Sequence, residues 1–231
     1  MRVFIGYDPR ESVSYYVLAH SIMRRSSIPV SITPLSRVNL KEVYHRPRTD
    51  LESTDFSMTR FLVPALCGYK GWALFLDSDM LCKIDIAEIA ALCNLSNWYK
   101  AVHVCQHDYT PKEYKKFLDA VQTKYRRKNW SSVMLFNNER CKSLTPEFVD
   151  TVSGLDLHQF TWTKDEQIGS LPLEYNWLVG QYPYNPQAKV VHFTLGGPYF
   201  SEYAKSDYAD DWWTEFKDMT RCDQRVQPQA K

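Results

Sequence analysis

Two carboxylates separated by one residue close an apolar run, Trp72-Ala73-Leu74-Phe75-Leu76-Asp77-Ser78-Asp79. The run reads as a buried strand, and its break at Asp77 lets the second acid swing around the turn. Acids at the carboxyl end of such a strand sit where open α/β sheets place ligands. They form a hard, all-oxygen half-site for Mg2+ or Mn2+, an ion that carries substrate phosphates and offsets charge on a departing diphosphate. The plainer reading is a solvated turn in which Asp77 caps the next helix. His192, within Val190-Val191-His192-Phe193-Thr194-Leu195-Gly196-Gly197-Pro198, ends a second apolar run. Its ring nitrogen is a candidate third ligand, and Gly196 and Gly197 would let backbone approach a phosphate. A lone histidine after a strand is more often a satisfied core residue; what favours the ligand role is that Asp77 and Asp79 need a third protein partner.

Three other places carry reactive residue types. The turn Gly6-Tyr7-Asp8 can receive a base or ribose, with Tyr7 stacking and Asp8 accepting hydrogen bonds, or it is an ordinary tight turn. Arg60, in an otherwise apolar stretch, is costly to bury unless its fork holds a phosphate or one of the acids. Otherwise it lies on the surface. Lys164-Asp165-Glu166-Gln167 could orient an acceptor hydroxyl or support positive charge on a sugar ring. The same acids also suit the first turn of a helix. The basic residues Lys112, Lys115, Lys116, Lys124, Arg126, Arg127 and Lys128 read as a solvated helix face. Trp162, Tyr175, Trp177, Tyr182, Tyr184, Tyr199 and Tyr203 offer aromatic faces for core packing or for sugar rings.

Elements that would position these residues alternate between strand and helix. Strands are expected at Arg2 to Gly6, Pro29 to Leu35, Trp72 to Leu76, Ala101 to Cys105, Val133 to Phe136 and Val190 to Thr194. A helix from Ser12 to Met23 would bury Tyr16, Ala19, His20 and Met23. Residues 39–54 read as a polar loop near a site entrance. A helix from Ser57 would bury Phe61, Leu62, Ala65 and Leu66 before Gly68 to Gly71 ends it. Helices are also expected from Ile84 to Leu92, after Thr145-Pro146-Glu147, and from Asp207 to Met219. Thr110-Pro111-Lys112-Glu113 is a capping box opening a helix with Tyr114, Phe117, Leu118 and Val121 on one face. Beyond Arg221 the chain is polar and expected to fray.

This alternation implies an α/β/α sandwich around a mainly parallel, Rossmann-like sheet covered on both faces. The 231 residues, 44% of them hydrophobic, suit a single domain with a sizeable core. A nucleotide-binding half, about 1–105, would precede an acceptor-binding half, about 106–205, and a C-terminal helix and tail, 206–231. A net charge of +1 argues against a general nucleic-acid binder. No segment reaches bilayer-spanning length, and Met1 leads straight into a strand instead of a signal peptide. The six cysteines form no Cys-x-x-Cys pair and look like reduced thiols of a cytoplasmic protein.

The order of these features resembles the family-8 glycosyltransferases, the glycogenin and bacterial galactosyltransferase group with the GT-A fold. The resemblance runs from Arg2 to about Pro198. It rests on Gly6-Tyr7-Asp8, Ser57-Met58-Thr59-Arg60-Phe61, Leu74 to Asp79, Ser131-Ser132-Val133-Met134-Leu135-Phe136-Asn137, Asp165-Glu166-Gln167-Ile168 and His192-Phe193. It implies transfer of a sugar, with retention, from a nucleotide diphosphate donor, most simply a UDP-sugar, to a hydroxyl of a glycan, lipid or protein acceptor. It further implies Mn2+ (or Mg2+) on Asp77, Asp79 and His192, and donor contacts from Gly6, Tyr7, Asp8, Arg60, Asp77, Ser78, Gly196 and Gly197. Asp165 is then expected to bind the sugar and Glu166 to face the anomeric carbon.

Three departures stand out. Trp130-Ser131-Ser132 replaces the family's Asn-x-Gly, Asp165-Glu166-Gln167 replaces Asp-Gln-Asp, and Leu195-Gly196-Gly197-Pro198 shifts the glycine after the histidine and offers no lysine. The rival readings are a sugar-phosphate nucleotidyltransferase, whose glycine- and lysine-rich loop is missing after Ile5, and a non-catalytic nucleotide-sugar or glycan-binding module.

Overall fold

The computed structural model describes residues 1–49, 52–94, 98–108 and 126–221. Its centre is a six-stranded sheet of β1 (Arg2–Gly6), β2 (Ser31–Leu35), β3 (Trp72–Leu76), β5 (Val102–Cys105), β6 (Val133–Asn137) and β7 (Ile168–Leu171), in the order β2-β1-β3-β6-β5-β7. The pairs β1–β2, β1–β3 and β5–β7 are parallel, and β6 runs antiparallel to both of its neighbours. The sheet is thus mainly parallel, as expected, with one reversed strand inside it.

Alternation along the central strands splits the core into two faces. Val3, Ile5, Leu74, Leu76, Val133 and Leu135 pack with Leu18 and Ile22 of α1 (Ser12–Arg25) and Ile89 of α3 (Ala87–Ala91). Phe4, Ala73, Phe75, Met134 and Phe136 pack on the other side. Their partners are Val63 of α2 (Val63–Leu66), Val149 of α4 (Pro146–Thr151) and Leu157 of α5 (Gly154–His158), with Phe61 and Phe160. Both faces are therefore apolar, which is why the strands read as continuous hydrophobic runs. Thr145 caps α4 through its side chain, which accepts from the Phe148 amide, and Pro146 fills the first turn.

A second sheet of three strands, in the order β4-β9-β8, decides the geometry of the acid pair. Here β4 (Met80–Cys82) leaves directly from Asp79 and pairs antiparallel with β9 (Val190–His192), Met80 opposite His192. On the far side of β9, β8 (Trp177–Leu178) runs parallel to it. This small sheet packs with Val17 of α1 and Trp212 of α6 (Ala209–Thr220) through Leu81, Val191 and Phe193.

Several expectations are corrected. The helix over α1 forms, but Tyr16 and Met23 are exposed; the buried face is Ser14, Val17, Leu18, Ala19, Ser21 and Ile22. Ser14 and Ser21 enter the core because each hydroxyl donates to a carbonyl three residues back, those of Glu11 and Leu18. The helix expected from Ser57 is a 3-10 turn, Thr59–Leu62, followed by the single turn of α2, and Leu66 is exposed. The helix expected from Ile84 to Leu92 is limited to α3 and a following 3-10 turn. The capping box at Thr110, its helix through Val121, the lysines Lys112, Lys115, Lys116 and Lys124, and the tail beyond Arg221 lie outside the described residues. Among the described residues no helix is long and apolar enough to cross a membrane.

Candidate metal and donor site

β3 delivers Asp77 to the carboxyl end of the sheet, where its amide donates to the Ser132 carbonyl at the start of β6 (3.0 Å). The second sheet delivers the rest. Because β9 pairs with the strand that leaves Asp79, the Phe193 amide donates to the Asp79 carbonyl (2.8 Å). His192 Nε2 then lies 3.3 Å from Asp79 Oδ1. One ligand atom from each of Asp77, Asp79 and His192 falls within 4.8 Å of the other two. Two carboxylates and an imidazole form a mixed oxygen and nitrogen set that suits a divalent cation such as Mn2+ or Mg2+. Ser78, between the acids, is fully buried, and its hydroxyl has no hydrogen-bond partner among the described residues.

Arg60 is buried, not on the surface. Its guanidinium lies between the rings of Phe56 and Phe75, 5.3 and 5.0 Å from their centroids. Nη1 sits 2.7 Å from Asp77 Oδ1 and donates to the Ser131 carbonyl at 2.9 Å. The arginine therefore fixes the first acid of the pair. Behind it lies His158, whose Nδ1 is 2.7 Å from Ser131 Oγ. Burial and the charges of Arg60 and Lys128 hold that imidazole well below its usual range, so it stays neutral.

The turn after β1 is shaped by packing. A Cβ on Gly6 would come within 2.3 Å of the Phe56 ring, so only glycine fits there. Asp8 is buried and caps the next turn. Burial pushes its carboxyl up, but hydrogen bonds from Arg10 and the Asp55 amide outweigh that and hold it below the usual carboxylate range. Tyr7 is half-buried and stands edge-on to Tyr15.

Two groups at this end of the molecule escaped the sequence reading. Glu11 is buried, and its Oε2 accepts from the Tyr199 hydroxyl (2.8 Å). Burial and the nearby charge of Asp79 push its carboxyl well above the ordinary range. Gly197 makes this contact possible, because a Cβ there would meet the Tyr199 ring at 2.1 Å. Packing thus accounts for the missing side chain at Gly197, while Gly196 is buried with φ +153°. The other group is His107, just past β5, whose Nδ1 lies 2.9 Å from the Tyr182 hydroxyl. Burial and the neighbouring His192 push it down to about 3. A second acid in the turn after β1, and a histidine just beyond a strand end, were the only signals for them.

Asp165 and Glu166 are not brought to the acid pair. They form a 3-10 turn immediately before β7, where the Ala101 amide donates to the Gln167 carbonyl. The register places Ile168 beside Val102, Val102 beside Phe136 and Phe136 beside Ala73. The segment is thus level with the start of β3, whereas Asp77 follows its end. For Glu166 that is about 20 Å along the strand, with three strand spacings of about 4.8 Å across the sheet. Both residues are exposed, and Asp165 pairs with Arg127 at 2.7 Å. Their expected roles at a sugar's anomeric carbon are not supported by this placement.

No family model matches the chain. It is 45% identical to Protein CDI of Arabidopsis thaliana over 239 residues, covering 100% of this chain and 91% of that protein. Among solved structures it superposes on the bifunctional glycosyltransferase WbbM with TM-score 0.64 and 17% identity, over 94% of this chain. The chain spans about half of WbbM, 49% of its length. It superposes on the galactosyltransferase LgtC, in complex with donor and acceptor sugar analogues, with TM-score 0.61 and 11% identity, over 97% of this chain and 98% of LgtC.

Proposed function

The chain belongs to the family of Protein CDI and has the GT-A fold of the family-8-like glycosyltransferases, and from this we propose that it transfers a sugar from a nucleotide diphosphate sugar to an acceptor hydroxyl. The observation that carries the reading is the convergence of Asp77, Asp79 and His192 at the carboxyl end of β3. These residues would hold Mn2+ or Mg2+, which when bound supplies Lewis-acid charge beside a departing diphosphate. Arg60 holds Asp77 in place and keeps a fixed positive charge at the site. Tyr7 offers a ring for the base, and the Gly6-Tyr7-Asp8 turn frames the ribose, with Asp8 positioning the Arg10 guanidinium. Ser78, Gly196 and Gly197 are assigned to the walls of the donor site.

In this reading residues 1–105 form the donor half and 106–205 the acceptor half, with 206–231 as a closing helix and tail. A UDP-sugar is the donor, and a glycan, lipid or protein provides the hydroxyl. Transfer proceeds with retention. The hydroxyl attacks C1 from the face that the diphosphate leaves, the C1–O bond to phosphate breaks, and the hydroxyl proton passes to the departing phosphate oxygen. The free cysteines Cys67, Cys82, Cys93, Cys105 and Cys141 fit a reducing, cytoplasmic setting.

The test is release of free nucleotide diphosphate from a panel of nucleotide sugars with Mn2+. If the cation contributes about 4 kcal/mol to lowering the barrier, EDTA and Asp79→Asn each slow release roughly 10³-fold. Full turnover under both conditions contradicts the reading. One observation favours a second reading, a nucleotide-sugar-binding module: the exposed placement of Asp165 and Glu166 at the opposite sheet edge. That reading predicts donor binding in the same panel with no release.

A further inference from the structure

The second sheet brings His192 to Asp79, but a paired strand does not fix the rotation or tautomer of an imidazole. A buried carboxamide does. Asn176 ends the 3-10 turn Leu173–Asn176 that leads into β8, and it is fully buried. Its Nδ2 donates to Ser132 Oγ at 2.8 Å and to the Asn129 carbonyl at 3.2 Å. Ser132 Oγ in turn donates to the same Asn129 carbonyl at 2.6 Å, so it can only accept from Asn176. Those two acceptors settle which end of the amide is nitrogen. The oxygen, Oδ1, therefore faces His192 Nδ1 at 2.9 Å, and Nδ1 must be the donor. In the neutral ring Nε2 is then the lone-pair nitrogen, 3.3 Å from Asp79 Oδ1. A cation shared by that nitrogen and the carboxylate would satisfy both.

We propose that Asn176 is the positioning residue of His192, holding the imidazole in the Nδ1–H tautomer so that Nε2 is presented to a divalent cation shared with Asp79. Ser132 extends the device. Its carbonyl accepts from the Asp77 amide while its hydroxyl anchors Asn176, so one residue braces both the acid strand and the histidine. Partners of this kind commonly set metal affinity by 10- to 100-fold.

The inference rests on the metal reading above, and its test separates the two. The first measurement needs no metal. Long-range nitrogen-15 spectra of the histidine imidazoles in the full, metal-free chain report the His192 tautomer, with His192→Gln supplying the assignment. An Nδ1–H signal in the wild type that is lost in Asn176→Leu, with Asn176→Asp restoring it by keeping an acceptor oxygen, supports the proposal. An Nε2–H tautomer in the wild type, or no change in Asn176→Leu, overturns it. The second measurement is Mn2+ affinity by calorimetry. Asn176→Leu is expected to weaken binding 10- to 100-fold and Asn176→Asp only a few-fold. Should Asn176→Leu fail to fold, Ser132→Ala decides instead, with an expected loss of several-fold. Wild-type affinity in Asn176→Leu, or in Ser132→Ala where that replaces it, overturns this proposal while leaving the metal site intact. Absence of Mn2+ binding in both wild type and Asp79→Asn overturns the metal reading and this inference with it.

Discussion

Glu11 is a carboxyl group buried among other acids, and the cost of that arrangement depends on pH. Burial, then the charges of Asp79 and Asp8, hold its proton on, against the hydrogen bond from Tyr199. In the unfolded chain a glutamate releases its proton near about 4.3. Between that value and the raised folded one, the folded state binds more protons, so stability falls as pH rises through the window. Below the unfolded value both states are protonated and the penalty vanishes. Glu11→Gln removes the ionisable group and keeps an oxygen to accept from Tyr199. Its stability relative to wild type should therefore climb as pH is raised from 4 to 8, measured by urea unfolding at each pH. A difference that stays flat across that range contradicts the buried, proton-retaining Glu11. The residue types at the site were legible because two carboxylates and an imidazole carry their chemistry in their names. Their partners were not: Asn176 and Ser132 act by hydrogen bonding, and nothing in their local sequence distinguishes them from turn residues.

The loop from β9 to α6 shows how an element spends a glycine. Gly197 leaves the space into which the Tyr199 ring folds, and that fold carries the hydroxyl to Glu11. Gly197→Ala must displace either the ring or the loop, at a cost of about 1–3 kcal/mol, as for other overpacked sites. If the ring is the obstacle, Tyr199→Ala should relieve the clash, and the two substitutions should be strongly non-additive in a urea-unfolding cycle. Additive losses would place the strain elsewhere. The elements themselves were unequally readable. β1, β3 and β6 stood out because both faces of the sheet are covered, so each is an unbroken apolar run. The direction of β6 was not readable, since burial on both faces looks alike in either orientation. β4 and β8, three and two residues long, are too short to show a period, yet β4 sets the Met80–His192 register on which the site depends. Asp165 and Glu166 stand apart from the acid pair for a related reason. The resemblance orders motifs along the chain, whereas the β5–β7 register decides at which edge of the sheet a motif emerges.

At the scale of the molecule the candidate cation site lies on a seam. Asp77 belongs to the end of the six-stranded sheet, Asp79 opens the three-stranded one, and His192 returns from more than a hundred residues further along the chain. The seam is held by backbone pairing of β4 with β9 and by the buried network around Asn176, so a bound cation would tie both sheets together. The unfolded chain offers no such convergence, because the loop between Asp79 and His192 must first be closed. A cation that binds only the folded state stabilises it by about 2.7 kcal/mol at a hundred times its dissociation constant. For a chain of this size that corresponds to roughly 5–11 °C in melting temperature. Scanning fluorimetry with increasing Mn2+ should show a rise of this order that saturates with concentration. Asp79→Asn should lose most of it, because one charged ligand at the seam is gone, and the position of its own metal-free melting curve serves as the baseline. A rise of the same size in Asp79→Asn would mean that the cation binds elsewhere. A flat response in the wild type would mean that the two sheets meet at this seam without a metal's help.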